Sequence, residues 1–463
     1  MRSLRRWQVE CIEKALQHYQ SNPHFFVQAT PASGKTYLAA ELARQLLDDQ
    51  KIDLVVCFAP SREVVEGFNR TFSAVLGKRF GDVLGASGAA YTYQSMDYQR
   101  PEFWEIFKQA RVLAVFDEIH HCAGHDPLLS NLWGQKILQH IQDDATYTLA
   151  LSGTPWRTDV LPVALARYSD PEGQLVCDYC YDLKAAIQEG VCRSPRITLI
   201  DNPLIKLVEE QEANSSVRLF SGVTQLLGES PIRYEELLRH DDILEAVLDV
   251  GIQKLNEVRQ SVSKAGGLVV VSDIEHAQQV SEILLRKGES VEVVNNQTPQ
   301  ARQRINHFRN SQTRWIVAVS MVSEGTDIPR LMVCCYLSRI RTELHYRQVL
   351  GRILRKTGQI DVEAWLYVIA EPTLRKFSAR IADDLPHDRA TLQTKKIDKR
   401  QHQAIESEHG KEGTPSEDGD AAVDPIAISR ALLWDGASEN DSDATIRTLS
   451  FSKYYRQYLL SLA

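Results

Sequence analysis

The chain has 463 residues, 43% of them hydrophobic and 25% charged, the composition of a globular protein with room for about two to four domains. No run approaches the ~18–20 apolar residues of a membrane span, and the basic N-terminus "MRSLRRWQVECIEKALQHY" lacks the apolar core and cleavage site of a signal peptide, so a cytoplasmic protein without a membrane partner is expected. Net charge is −8, which argues against a nucleic-acid ligand only until its distribution is seen: residues 405–445 hold eleven Asp or Glu and two Lys or Arg, leaving a near-neutral body that can carry a local basic groove.

The first half alternates apolar strands with amphipathic helices. "HFFVQA" predicts a strand. "KTYLAAELARQLL" places Leu38, Leu42 and Leu46 at helical spacing. "DLVVCFAP", "RVLAVFDEIHH" and "TYTLALSGTP" are buried strands whose C-terminal ends run into polar residues. Strands buried on both faces and separated by helices predict a parallel α/β sheet, with ligands beyond the carboxyl ends of its strands. The rhythm returns in "GGLVVVSD", a helix closed by Gly288, "SVEVVNN", "RWIVAVSMVSEGTD", "LMVCCYLS" and "AWLYVIA".

Two α/β domains are therefore expected, at 1–200 and 245–371, bridged by 201–244. A basic extension follows over 372–401. Residues 402–445 are acidic, polar and rich in Gly and Ser, and predict disorder. Phe451, Tyr455, Tyr458 and Leu462 form a stripe that predicts a short C-terminal helix over 446–463. "CDYC" (Cys177, Cys180) has zinc-like spacing, but only Cys192 follows nearby, so free thiols are the better reading of the eight cysteines.

The stretch from Thr30 to Thr36, "TPASGKT", joins a strand to a helix. Backbone N–H groups at such a junction cradle phosphates, a Lys (Lys35) places charge on them, and a hydroxyl (Thr36) reaches Mg²⁺. Ala32, Ser33 and Gly34 are small enough for the tight turn, and Pro31 supplies no N–H. Ala29 stands where the usual pattern has its first Gly. With Ala29 and Ala32, the donors point inward if the backbone keeps negative φ. Downstream, Asp117 and Glu118 end a buried strand, where one carboxylate can hold Mg²⁺ and its neighbour can polarise the attacking water.

Taken in order, "ATPASGKT", "DEIHH" and "SGTPWR" resemble motifs I, II and III of superfamily 2 helicases, and "VSEGTDIP" and "QVLGRILR" resemble motifs V and VI. "LRRWQ" resembles the glutamine element that reads adenine. The resemblance covers about residues 1–370 and lies closest to the DEAD/DEAH-box-like enzymes of restriction, repair and mobile-element defence. It implies two tandem RecA-like domains with an ATP cleft between them, ATP and Mg²⁺ as cofactors, and a nucleic-acid-dependent ATPase or helicase. In that reading Lys35 and Thr36 hold phosphate and Mg²⁺, Asp117 holds Mg²⁺, and Glu118 holds the catalytic water. Gln8 contacts adenine near Arg5 or Trp7. Gln348, Arg352 and Arg355 reach the γ-phosphate, Gly325 and Asp327 couple the domains at the cleft, and Ser152 and Thr154 link hydrolysis to movement.

The track for nucleic acid, DNA rather than RNA, is expected at three strand ends: Pro60, Ser61 and Arg62; Thr92, Tyr93 and Gln94; and Ser272. No nuclease motif is present in the sequence, so cutting chemistry is expected on a partner nuclease or another defence or repair subunit. An ATP-gated clamp that recruits such a partner without unwinding is the alternative.

Overall fold

The computed structural model describes residues 3–122, 131–153, 162–169, 175–211, 214–295, 297–298, 300–319, 328–356, 358, 363–383, 391–397 and 446–461. The first sheet contains β1 (His24–Ala29), β2 (Leu54–Ala59), β3 (Gly88–Thr92), β4 (Val112–Asp117) and β5 (Tyr147–Ser152). A short antiparallel pair, β6 (Arg167–Tyr168) and β7 (Leu175–Val176), leads to its edge strand β8 (Tyr179–Tyr181). The order is β3-β2-β4-β5-β1-β8, with every neighbour parallel. Its helices are α1 (Arg6–His18), α2 (Lys35–Asp48), α3 (Arg62–Leu76), α4 (Pro101–Gln109), α5 (Leu132–His140) and α6 (Leu183–Gln188). Leu38, Leu42 and Leu46 are buried on α2 as their spacing predicts. Each contributes about 1.5–3 kcal/mol of transfer free energy. All six positions of β4 are buried, so Asp117 ends a dry strand.

The second body contains β9 (Ser194–Asp201), β10 (Ile205–Gln211), β11 (Asn214–Phe220), β12 (Gly266–Val271), β13 (Val291–Val294), β14 (Trp315–Val319), β15 (Leu331–Leu337) and β16 (Glu363–Ile369). β17 (Thr391–Ile397), β18 (Ile446–Phe451) and β19 (Tyr455–Ser461) complete it. Its helices are α7 (Val223–Glu229), α8 (Tyr234–Leu237), α9 (Asp241–Ser261), α10 (Ile274–Arg286), α11 (Ala301–Asn310), α12 (Glu343–Ile353) and α13 (Pro372–Asp383). The large sheet runs β13-β14-β12-β15-β16-β9-β19-β17, parallel as far as β9 and antiparallel beyond it. The two sheets have the architecture of tandem RecA-like domains. Gly288 adopts a left-handed φ of 78° just past α10, where the sequence predicts the helix to close.

Three expectations are corrected. β9 pairs with β16, so the second sheet begins within the segment expected to belong to the first domain. The expected bridge is part of the second body, where its β10 pairs with β11 and β18, and the basic extension adds α13 and β17 to the same body.

The third correction concerns the expected C-terminal helix over 446–463: the described residues 446–461 form two strands instead. β18 pairs with β10 and β19 pairs with β9, so the ends of the second body are joined as a bent two-stranded ribbon. Its corner is held by Asn202 Nδ2 donating to the Ser452 carbonyl and Ser452 Oγ donating to Asn202 Oδ1, each at 2.9 Å. The acidic stretch 402–445 lies outside the described residues.

Candidate ATP site

The loop after β1 turns through two left-handed residues, Ala32 at φ 67° and Gly34 at φ 98°. Gly34 suits that conformation. Ala32 does not: its Cβ crowds the following carbonyl at a cost of about 1–2 kcal/mol. The expectation of negative φ at Ala32 is therefore overturned. The residue takes the geometry a glycine would supply, and the loop turns tightly all the same.

α1 holds the loop from the side. Gln8 is buried; its Nε2 donates to the Gly34 carbonyl at 3.0 Å, and its Oε1 accepts the Arg5 amide at 2.9 Å. Arg5 Nη1 donates to the Ser33 carbonyl. Gln8 thus braces the loop with the same amide expected to meet adenine. Trp7 is fully buried and stacks on Tyr181 at 4.7 Å, so it belongs to the core and cannot stack on a base.

Lys35 Nζ lies 3.1 Å from Glu118 Oε1 and donates to the Ala29 carbonyl at 3.2 Å. Glu118 has left-handed backbone (φ 52°, ψ 51°), which turns its side chain back toward the β5 end. There its Oε2 accepts the Gly153 amide at 3.1 Å and the Ser152 hydroxyl at 3.3 Å. His120 Nδ1 sits 2.9 Å from Ser152 Oγ and 3.4 Å from Glu118 Oε2. The ends of β1, β4 and β5 are thereby wired to one carboxylate.

Burial and the adjacent Glu118 charge push the Asp117 carboxyl well up from the usual carboxylate range. Burial works the same way on Glu118, but Lys35 and His120 outweigh it and hold that carboxyl low. Such a split gives two neighbouring carboxylates different work. Among the described residues, Asp117 Oδ1 and Ser33 Oγ are buried with no hydrogen-bond partner, the first near Lys35 and the second within the loop. Two orphaned oxygens and an amine fit a magnesium–phosphate group: Asp117 and Thr36 would hold the ion, and Lys35 and the loop amides the phosphates.

The second body closes this site from above. Gly351 of α12 meets Pro31 of the loop, and a cavity of about 550 Å³ lies alongside, lined by Thr30, Gly153, Asp182, Arg347 and Arg380 among others. Gln348, Arg352 and Arg355 are half-buried on or just after α12. The positive charge of Arg352 is felt at Glu63 of α3 in the first body. Arg355 forms a β-bridge with Cys192. Gly325, Asp327 and Thr154 lie outside the described residues.

The structure also places residues that sequence reasoning missed. Arg193 is fully buried, and its guanidinium donates to the Leu331, Ile353 and Pro329 carbonyls at 2.7, 2.8 and 2.9 Å. It ties the end of α12 to β15. No local pattern signals this, because the three carbonyls are far from it in sequence.

At the expected track, Pro60 and Ser61 are half-buried and Arg62 is exposed. Ser61 caps α3 by accepting the Val64 amide. Thr92 is half-buried and Gln94 exposed, whereas Tyr93 is fully buried, stacked on Trp133 with its hydroxyl donating to the Asp117 carbonyl at 2.8 Å. Tyr93 is therefore core, and braces β4 instead of stacking on a base. Ser272 Oγ accepts the Arg339 amide at 3.1 Å. All three places lie at carboxyl ends of parallel strands.

Comparison with known proteins agrees with this geometry. The family model described as "Type III restriction enzyme, res subunit" matches residues 2–157, and the one described as "Helicase conserved C-terminal domain" matches residues 250–357. The chain is a superfamily 2 helicase-like protein. An uncharacterized protein of Mycobacterium leprae is 28% identical over 407 residues, 83% of this chain and 65% of that one. The DNA 3'-5' translocase XPB2 of Sulfurisphaera tokodaii is 23% identical over 386 residues, 79% of this chain and 81% of that one. The fragment structure of a putative HsdR subunit of a type I restriction enzyme from Vibrio vulnificus superposes with TM-score 0.54 at 15% identity, over 81% of this chain and 66% of that one. The chain spans 63–65% of the length of the mycobacterial relatives it matches.

Among the described residues no helix is long and apolar enough to cross a membrane, and no cluster of His, Cys, Asp or Glu is arranged to hold a metal by itself. Cys57, Cys334 and Cys335 are buried in strands, while Cys180 is exposed.

Proposed function

We propose that the chain is a nucleic-acid-dependent ATPase that moves along or remodels DNA. The observation that carries this is the Lys35–Glu118 pair beside buried Asp117, with α12 of the second body seated on the same loop. ATP bound with Mg²⁺ would supply the transferable phosphoryl group and the divalent charge. Lys35 exchanges its carboxylate partner for phosphate oxygens. Glu118, which keeps His120 beside it and stays oriented by Gly153 and Ser152, accepts a hydrogen bond from the attacking water. Gln348, Arg352 and Arg355 bring donors and positive charge from the second body. Hydrolysis then alters the contact between the bodies, and a strand held by phosphate contacts across both advances.

The name of the archaeal relative, a DNA translocase, supports DNA over RNA. The restriction-enzyme descriptions of one family model and of the Vibrio structure support work beside a nuclease subunit in restriction, repair or defence. The test is ATPase activity with single-stranded DNA, duplex, fork and RNA, run beside strand displacement. Stimulation by DNA with displacement or translocation bears the proposal out. DNA stimulation without either points to a clamp, and no stimulation by any nucleic acid overturns it.

A further inference from the structure

Besides the contact of α12 with the loop, the two bodies face each other through opposite charges. Glu63 and Glu66 lie three residues apart in the first turns of α3, on one face, directly after Pro60, Ser61 and Arg62. α11 presents Arg302 and Arg309, seven residues apart and so on one face as well. Arg302 Nη1 is 2.7 Å from Glu66 Oε1, and Arg309 Nη2 is 3.9 Å from Glu63 Oε1. Burial pushes the Glu63 carboxyl up, and Arg309, Arg302 and Arg352 oppose that. The Arg309 Nε is buried and has no hydrogen-bond partner among the described residues, so this guanidinium has donor capacity that Glu63 does not use.

We infer that α3 and α11 form an electrostatic latch between the two bodies, closed by Glu63 and Glu66 on Arg309 and Arg302, and opened when the phosphates of a nucleic-acid strand take those arginines from the carboxylates. A phosphodiester and a carboxylate are alternative acceptors for the same guanidinium fork. The latch stands beside the strand end where Arg62 is exposed, so a strand entering there meets it. Arg302 and Glu66 are 50% and 56% exposed, which keeps the latch weak, screened by salt and reversible. Two such pairs bias a closed-to-open equilibrium by roughly 2- to 30-fold, enough to be read and small enough to be overcome by binding. The role of the strand rests on the proposed function; the latch itself does not.

Energy transfer between dyes placed through unnatural amino acids at Leu84 and Leu285, both exposed and one on each body, reports the latch without any nucleotide. In the native protein, efficiency should fall as salt rises, and on addition of single-stranded DNA. Glu66→Arg should lower it at low salt, and the exchange Glu66→Arg with Arg302→Glu should restore it. Glu63→Gln with Glu66→Gln should begin low and no longer respond to DNA. Circular dichroism confirms that each variant is folded. Unchanged efficiency in the reversal variant, or failure of the exchange to restore it, overturns the latch. Native protein that opens with salt but not with DNA retains the latch and removes the strand as its opener. Absence of DNA-stimulated ATPase would sink the proposed function while leaving this measurement intact.

Discussion

Gly351 and Pro31 meet so closely that a Cβ at position 351 would stand 2.8 Å from two carbons of the proline ring. The "G" of "QVLGRILR" is thus the point where α12 rests on the loop after β1. Gly351→Ala should hold the bodies apart by a few tenths of an ångström or more and displace Gln348, Arg352 and Arg355 with them. Misplacement on this scale costs up to about 100-fold in rate. We expect kcat for ATP to fall about 10- to 100-fold, with fluorescent-nucleotide binding to the first body nearly unchanged. Native turnover in this variant would show that α12 does not need this contact.

Glu118→Gln should keep nucleotide binding and abolish hydrolysis, because the amide retains the shape but loses the acceptor charge. Lys35→Ala should lose both binding and hydrolysis. Each variant should melt within about 1–2 kcal/mol of the native protein, since neither side chain packs the core. Titration of a fluorescent ATP analogue separates the two. DNA-stimulated turnover in either variant would remove that residue from the site.

Much of this site could be read from the chain because its parts are local. A strand, a loop and a helix in succession announce "TPASGKT", and a dry strand ending in two carboxylates announces Asp117 and Glu118. Contacts closed over long separations leave no such trace. Arg193 binds carbonyls near residues 330 and 353, and nothing around "VCRSP" marks it as a core residue. The C-terminus misled for a different reason. Two short strands broken at Ser452–Tyr454 place Phe451, Tyr455 and Tyr458 at spacings of four and three, which imitates a helix. Leu449, Phe451 and Tyr455 are the buried apolar positions among the described residues of these strands, two apart in β18 and then resumed after the corner.

Ala32 is strained at φ 67°, and glycine would adopt that conformation freely. Ala32→Gly should stabilise the native state by about 0.5–1 kcal/mol after the extra entropy of the unfolded chain is subtracted. Ala32→Val should destabilise it by more than 1 kcal/mol, roughly, because β-branching resists this region. Urea denaturation monitored by far-ultraviolet circular dichroism reads both. A destabilised glycine variant would mean that the methyl group contributes packing that outweighs its strain.

Arg193→Lys should cost about 3–5 kcal/mol, the scale for breaking a buried charged network, because one ammonium cannot span three carbonyls. Arg193→Met should fare no better, since it leaves those carbonyls unpaired in a dry site. Thermal melting of the second body should report the loss. Melting unchanged by either substitution would mean that water or other donors replace the guanidinium at no cost.

His276 ties pH to the Ser272 strand end. It is fully buried on α10, and its Nδ1 accepts the Ser272 amide at 3.4 Å, so the neutral ring is the one the fold requires. Burial, with Arg239 nearby, pushes its pKa down from 6.5 to about 4. Between those values the unfolded chain binds the proton that the folded chain refuses, so this group's contribution is fully present above pH 6.5 and is lost as pH falls toward 4. The full effect is roughly 3 kcal/mol. His276→Gln keeps an acceptor for the Ser272 amide but does not titrate, so its stability should fall less steeply over the same window. Denaturation midpoints measured at half-unit steps from pH 7 to pH 4 decide the matter. If native and variant curves stay parallel throughout, His276 is not the group that couples acid to the loosening of this strand end.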